Sequence, residues 1–184
     1  MNEQLTEKQI STELLFDGTV LHVYKDDVQL PDGGTAVREL IKHIGAVCVI
    51  PVTDDGRVVL ERQYRYPISR VVIEIPAGKL DYAGEDRLSA AQRELSEETG
   101  FTAGRWTHLT DIVTTPGFCD EKIGLYLARD LTSGESHPDE DEFLNVVKLP
   151  LDEAVDAVMR GEITDAKTVC ALLMAKRIIE KESR

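Results

Sequence analysis

The chain has 184 residues, 42% hydrophobic and 30% charged, with 21 basic against 34 acidic side chains and a net charge of −13. That length suits one compact domain with a small appended element, and so acidic a surface, with pI near 4.7, repels a phosphate backbone and argues against nucleic-acid binding. The longest apolar stretch, around Gly45 to Val52, is far too short to cross a bilayer, the polar start Met1-Asn2-Glu3-Gln4 lacks an apolar signal core, and the odd set Cys48, Cys119 and Cys170 reads as reduced thiols. We therefore expect a cytoplasmic protein, with no membrane partner.

The first forty residues are strand-rich. Residues 13–16, 20–24, 28–30 and 36–41 read as short strands, punctuated by the turn signals Asp17-Gly18 and Pro31-Asp-Gly-Gly34. They predict a small antiparallel subdomain over residues 1–42, followed by a main domain over 43–184. Residues 46–52 form a continuous apolar run, as a strand buried on both faces requires. Asp54-Asp-Gly56 turns the chain into a strand at 58–61, and the β-branched segment 71–75 stops at Pro76.

The period then changes. Between Glu85 and Thr99 the apolar residues Leu88, Ala91 and Leu95 fall at i, i+3 and i+7, one face of a helix, and Gly100 stands where a glycine ends such a helix. Further strands are expected at 107–113, 122–128 and 143–149, and helices at 151–160 and 164–181, the last opened by a Thr164-Asp165 cap. Strands and helices mix without a βαβ rhythm, so the fold class is α+β.

The informative stretch is Arg93-Glu94-Leu95-Ser96-Glu97-Glu98-Thr99-Gly100-Phe101. At 100° per residue, Glu94, Glu97 and Glu98 share one face, and Glu94 and Glu98 are i,i+4 neighbours. Three crowded carboxylates repel unless a cation neutralises them, and hard oxygen ligands suit Mg²⁺, with Mn²⁺ as a substitute. Arg93 lies i,i+4 from Glu97 and can fix its rotamer. Acidic helix faces are usually just solvated. Here, however, the acids lie beside the apolar stripe, and the preceding Pro76–Gly84 turn brings backbone groups to the helix N-terminus, where anions are welcome.

Glu85-x7-Arg93-Glu94-Leu95-x-Glu97-Glu98-x-Gly100-Phe101 resembles the Nudix box, the signature of hydrolases acting on nucleoside diphosphates linked to another moiety. Gln63-Tyr-Arg-Tyr-Pro67, Glu74-Ile-Pro-Ala-Gly-Lys79, Pro116-Gly-Phe118 and Asp139-Glu-Asp-Glu-Phe143 are similar to the branch that hydrolyses ADP-ribose and nucleoside diphosphate sugars. One departure stands out: the family's box glycine has five residues before its first glutamate, whereas Gly78 and Glu85 have six between them.

The resemblance implies a Nudix-like α/β/α sandwich with a mixed sheet. It implies Mg²⁺-dependent cleavage of a pyrophosphate bond to a nucleoside monophosphate and a sugar phosphate. Glu94, Glu97 and Glu98 would hold the metal together with the Ala77 carbonyl. A general base is expected in the acidic loop, with Glu142 favoured over Glu140 because a strand follows it. Arg65 is expected on the diphosphate, Arg38 on the base or a phosphate, Glu74 on the ribose side or a metal-bound water, and Gly117 and Phe118 at the substrate. Tyr64, Tyr66 and Phe118 are candidate stacking surfaces; His43 and His137 show no ligand spacing. The branch also implies a homodimer whose N-terminal strands help to form the nucleoside pocket. Two alternatives remain: a triphosphate housecleaning hydrolase, against which the Gln-Tyr-Arg and Pro-Ala-Gly-Lys flanks argue, and a nucleotide-sensing Nudix-like module without turnover.

Overall fold

In the computed structural model, which describes residues 5–139 and 142–182, strands β1 (Lys8–Asp17), β2 (His22–Gln29) and β3 (Thr35–Lys42) form an antiparallel sheet in the order β1-β2-β3. β1 begins five residues before the expected strand. Every position along it is exposed, so no alternation of burial marks it in the sequence. β2 is one strand where two were expected. Its charged middle stays extended because it pairs with β1 on one side and β3 on the other, and Gln9 and Ser11 of β1 donate hydrogen bonds to the Asp26 and Asp27 carboxylates at 2.7 and 2.8 Å.

The chain divides into two units: one runs up to Ile44 and includes Val113–Lys122, and the other comprises Gly45–Ile112 and the chain from Ile123 onward. In the first, the Ile41 N–H donates to the Phe118 carbonyl at 2.7 Å and the Asp120 N–H to the Ile41 carbonyl at 3.2 Å, fastening the 113–122 loop to the end of β3.

The second unit is built on strand β4 (Ala46–Pro51), buried at all its positions as a strand covered on both faces must be. It pairs antiparallel with β7 (Ala77–Lys79) and parallel with β9 (Lys122–Ser133), and β8 (Phe101–Val113) completes a mixed sheet in the order β7-β4-β9-β8. On one face Cys48, Ile50, Leu125 and Leu127 pack with Leu151 and Ala154 of α2 (Leu151–Met159) and Ala171 and Leu172 of α3 (Ala166–Glu182). On the other, Val47, Val49 and Tyr126 pack with Ala90, Ala91 and Leu95 of α1 (Arg87–Thr99). This is the expected sandwich of helices around a mixed sheet. Each fully buried Val, Ile or Leu in these layers contributes about 1.5–3 kcal/mol of transfer free energy. A smaller antiparallel sheet places β5 (Arg57–Arg65) between β10 (Leu144–Pro150) and β6 (Arg70–Glu74).

The ends of α1 decide where its acids sit. The helix starts at Arg87, two residues later than expected, because the Asp86 carboxylate accepts hydrogen bonds from the Ser89 N–H and hydroxyl at 2.9 and 2.8 Å and so caps it. Leu88, expected on the apolar face, lies in the first turn and stays exposed; Ala90 joins Ala91 and Leu95 instead. Gly100 ends the helix at φ 72°, as expected, and β8 follows at once, six residues earlier than expected. At α3, Asp165 alone caps, accepting from the Thr168 N–H at 2.9 Å. Among the described residues, no helix is long and apolar enough to cross a membrane.

Candidate active site

The buried residues of α1 are Ala90, Ala91, Glu94, Leu95, Glu98 and Thr99. Glu94 and Glu98 thus share the inward stripe with Leu95, at 8% and 4% exposure, while Glu97 remains half-exposed. The acid cluster borders the core. Two residues of β7 receive it. The Ala77 N–H donates to Glu98 Oε2 at 2.9 Å. The Glu94 carboxylate lies against Gly78 so closely that a Cβ there would sit 2.0 Å from Glu94 Cδ; only glycine admits this approach.

Arg93 ties the acids together. Its Nη1 donates to Glu94 at 2.8 Å and to Glu97 at 3.3 Å, and its Nη2 pairs with Asp81 at 3.4 Å and Glu85 at 3.5 Å. The Glu85 carboxylate in turn accepts the Asp81 N–H at 2.7 Å. The residue added to the box is therefore absorbed in a turn at 81–84, with Gly84 at φ 88°, which Glu85 and Arg93 hold shut.

Burial pushes the Glu94 carboxyl up to about 7; Glu97 and Glu142 add to this and Arg93 offsets part of it. Burial also raises Glu98, reinforced by Glu61, Glu94 and Glu142. Glu61 is an acid that the sequence reading missed. It is 1% exposed on β5, pairs across the sheet with Glu74, and is raised by burial and by the Glu74 charge. A signal for it existed: Glu61 is two residues from core Val59, and alternation along a strand puts both on one face.

Arg65 and Glu74, expected at the substrate, meet each other. The Arg65 guanidinium donates to both Glu74 carboxylate oxygens, at 2.7 and 2.9 Å, and Lys167 binds the same carboxylate. Burial raises Glu74, but these two cations outweigh it and hold its carboxyl below the usual range. Lys167 was also missed, and no local pattern marks it.

Glu142 is half-buried, its N–H donates to the Asp139 carbonyl at 2.9 Å, and its charge raises Glu61, Glu94 and Glu98. The strand begins at Leu144, not Phe143, and Phe143 is exposed because it precedes the ladder. Earlier in the chain, the Gly134 and His137 N–H groups donate to the Gly100 and Glu97 carbonyls of the α1 terminus at 2.7 and 2.8 Å. Glu140 lies outside the described residues.

Arg38, Gly117 and Phe118 belong to the first unit and line a cavity there of about 480 Å³. Arg38 is engaged in a two-point pair with Glu7 at 2.9 and 2.5 Å. Phe118, Tyr64 and Tyr66 are exposed. His43 Nδ1 lies 3.6 Å from Glu121.

The donor set near α1 fits a hard divalent cation: it consists of carboxylates, they raise one another, and Glu61 Oε2 has no hydrogen-bond partner. Among the described residues no group of three or more His, Cys, Asp or Glu side chains is arranged to hold a metal ion as it stands. Arg93 and the Ala77 N–H hold Glu94 and Glu98 in the positions described.

A family model described as the NUDIX domain matches residues 42–172. The chain belongs to the Nudix family. It is 44% identical over 172 residues to an ADP-ribose pyrophosphatase of Bacillus subtilis (strain 168), covering 92% of each chain. It is also 44% identical over 174 residues to a methanol dehydrogenase activator of Bacillus methanolicus, covering 94% of each. A crystal structure described as an ADP compounds hydrolase superposes with a TM-score of 0.86 at 26% identity, covering 98% of both chains. This Nudix chain is a pyrophosphohydrolase, with the fold that the resemblance implied.

Proposed function

We propose that this Nudix hydrolase cleaves the pyrophosphate bond of ADP-ribose or a related nucleoside diphosphate sugar in a Mg²⁺-dependent reaction. The observation that carries the reading is the pair Glu94 and Glu98, acids buried beside the core of α1 and within electrostatic reach of Glu142. Glu94, Glu97 and Glu98 would hold the metal, with Ala77 backbone at its edge. A bound Mg²⁺ or Mn²⁺ would neutralise the diphosphate and acidify a bound water.

The chain's own groups supply positioning and proton transfer, which is most of what phosphoryl chemistry asks of a protein. Arg93 is a positioning residue: it orients Glu94 and Glu97 and locks the 81–84 turn. Glu142 accepts the proton of the attacking water. Arg65, half-exposed and oriented by Glu74, presents its guanidinium edge to the diphosphate. Arg38, Gly117 and Phe118 serve the nucleoside side, and a second copy of the chain completes a homodimer.

The test is a panel of nucleotide sugars and nucleoside triphosphates incubated with Mg²⁺ and resolved by chromatography. AMP and ribose 5-phosphate from ADP-ribose support the reading; turnover of triphosphates alone refutes it. A second reading, an activator acting on a partner dehydrogenase, is favoured by the name of the Bacillus methanolicus relative. Nucleotide binding without monophosphate release would support that one.

A further inference from the structure

We propose that Glu61 is a metal-ligating residue, supplied by strand β5 from outside the α1 motif, and that it shares a divalent cation with Glu98. This rests on the reading of the α1 acids as the metal-binding set. Glu61 is 1% exposed and its Oε2 has no hydrogen-bond partner among the described residues. Native proteins give buried carboxylate oxygens a hydrogen bond, an ion pair or a metal.

The chain's own cations do not fill that role. Lys167 and Arg65 both bind the carboxylate of Glu74, the residue directly across the β5–β6 ladder. Their charges offset only part of the effect on Glu61, whose carboxyl stays raised by burial, by Glu74 and by Glu142, and Glu61 in turn raises Glu98. Both are buried carboxylates on regular elements, Glu61 on β5 and Glu98 on α1, and the charge of Glu61 raises Glu98. A small hard cation from solution, Mg²⁺ or Mn²⁺, matches oxygen donors of that kind. Its two protein ligands would then come from different elements, so the metal would tie α1 to the β10-β5-β6 sheet.

The experiment measures Mn²⁺ binding to the full chain without substrate, by the electron paramagnetic resonance of free Mn²⁺ and by calorimetry, for wild type, Glu61→Gln and Glu94→Gln. Glu61→Gln should lose one bound Mn²⁺ or bind it about tenfold or more weakly, and should lose most of the Mn²⁺-induced rise in Tm. Wild-type stoichiometry and affinity in a folded Glu61→Gln overturn the proposal and leave Glu61 as a neutral core acid. If Glu94→Gln is impaired while Glu61→Gln is not, the proposal alone fails. If wild type binds no Mn²⁺, or Glu94→Gln binds it normally, the reading of α1 fails as well. Should Glu61→Gln not fold, Glu61→Asp, which withdraws the carboxylate by one methylene, is read by the same outcomes.

Discussion

Glu94 and Glu98 carry buried carboxyls whose partners, Arg93 and the Ala77 N–H, offset only part of the effect of burial. Each acts in the transition state through the metal it would hold, so Glu94→Gln or Glu98→Gln should lower kcat by about 10³ or more, measured as AMP release from ADP-ribose. A loss below about tenfold in both would make the cluster a solvated face. Glu142→Gln should cost about 10² in kcat, the scale of a lost general base, with KM near wild type. The same charges set a pH dependence. The Glu94 carboxyl stands at about 7 against an ordinary 4.5, so between those values the folded protein keeps a proton that the unfolded chain releases. Stability is therefore fully present below the lower value and falls as pH rises toward the upper one. In excess chelator the urea midpoint should drop between about pH 4.5 and about pH 7, less so in Glu94→Gln, and Mg²⁺ should restore it at the upper end. A midpoint that rises through this window would contradict the raised carboxyl.

At the scale of elements, the exit of α1 is coupled to the loop that carries Glu142. Gly100 adopts φ 72°, and a Cβ there would come within 2.7 Å of the Gly134 carbonyl oxygen. A side chain would strain the helix exit and push the loop away from its two backbone bonds. Gly100→Ala should cost about 1–3 kcal/mol in urea unfolding and also lower kcat. Asp86→Ala removes only the cap at the other end of α1; it should cost about 1 kcal/mol and leave kcat near wild type. Equal kcat in the two variants would show that loop docking at Gly100 does not position the base.

For the molecule as a whole, the first unit carries several exposed apolar side chains on one strand. Ile10, Leu14, Leu15 and Phe16 of β1 are all about half exposed or more, and contiguous exposed apolar residues mark interaction surfaces. A second copy of the chain is the occupant we propose for it. Sedimentation should give a mass about twice 20.5 kDa, and Phe16→Asp should shift it toward the single-chain mass. A wild-type monomer with full activity would refute the homodimer.

Local pattern carried a large part of this protein. The spacing of Arg93, Glu94, Glu97 and Glu98 put three acids on one helix face, Gly100 marked the end of that helix, and the unbroken apolar run over 46–52 identified a strand buried on both faces, β4. These features are legible because periodicity and end signals are properties of neighbouring residues. Tertiary structure decided the rest. β1 is exposed throughout and has no burial alternation to read, so its pairing with β2 alone defines its length. Lys167 reaches Glu74 from 93 positions away, and the 113–122 loop joins the N-terminal strands through bonds to Ile41. Glu61 looks in the sequence like the polar end of a strand. Its burial and its unpartnered oxygen appear only in the folded chain, where Glu74 across the ladder engages Arg65 and Lys167. Sequence sets which face a side chain takes; the packing of distant elements sets what that side chain meets there.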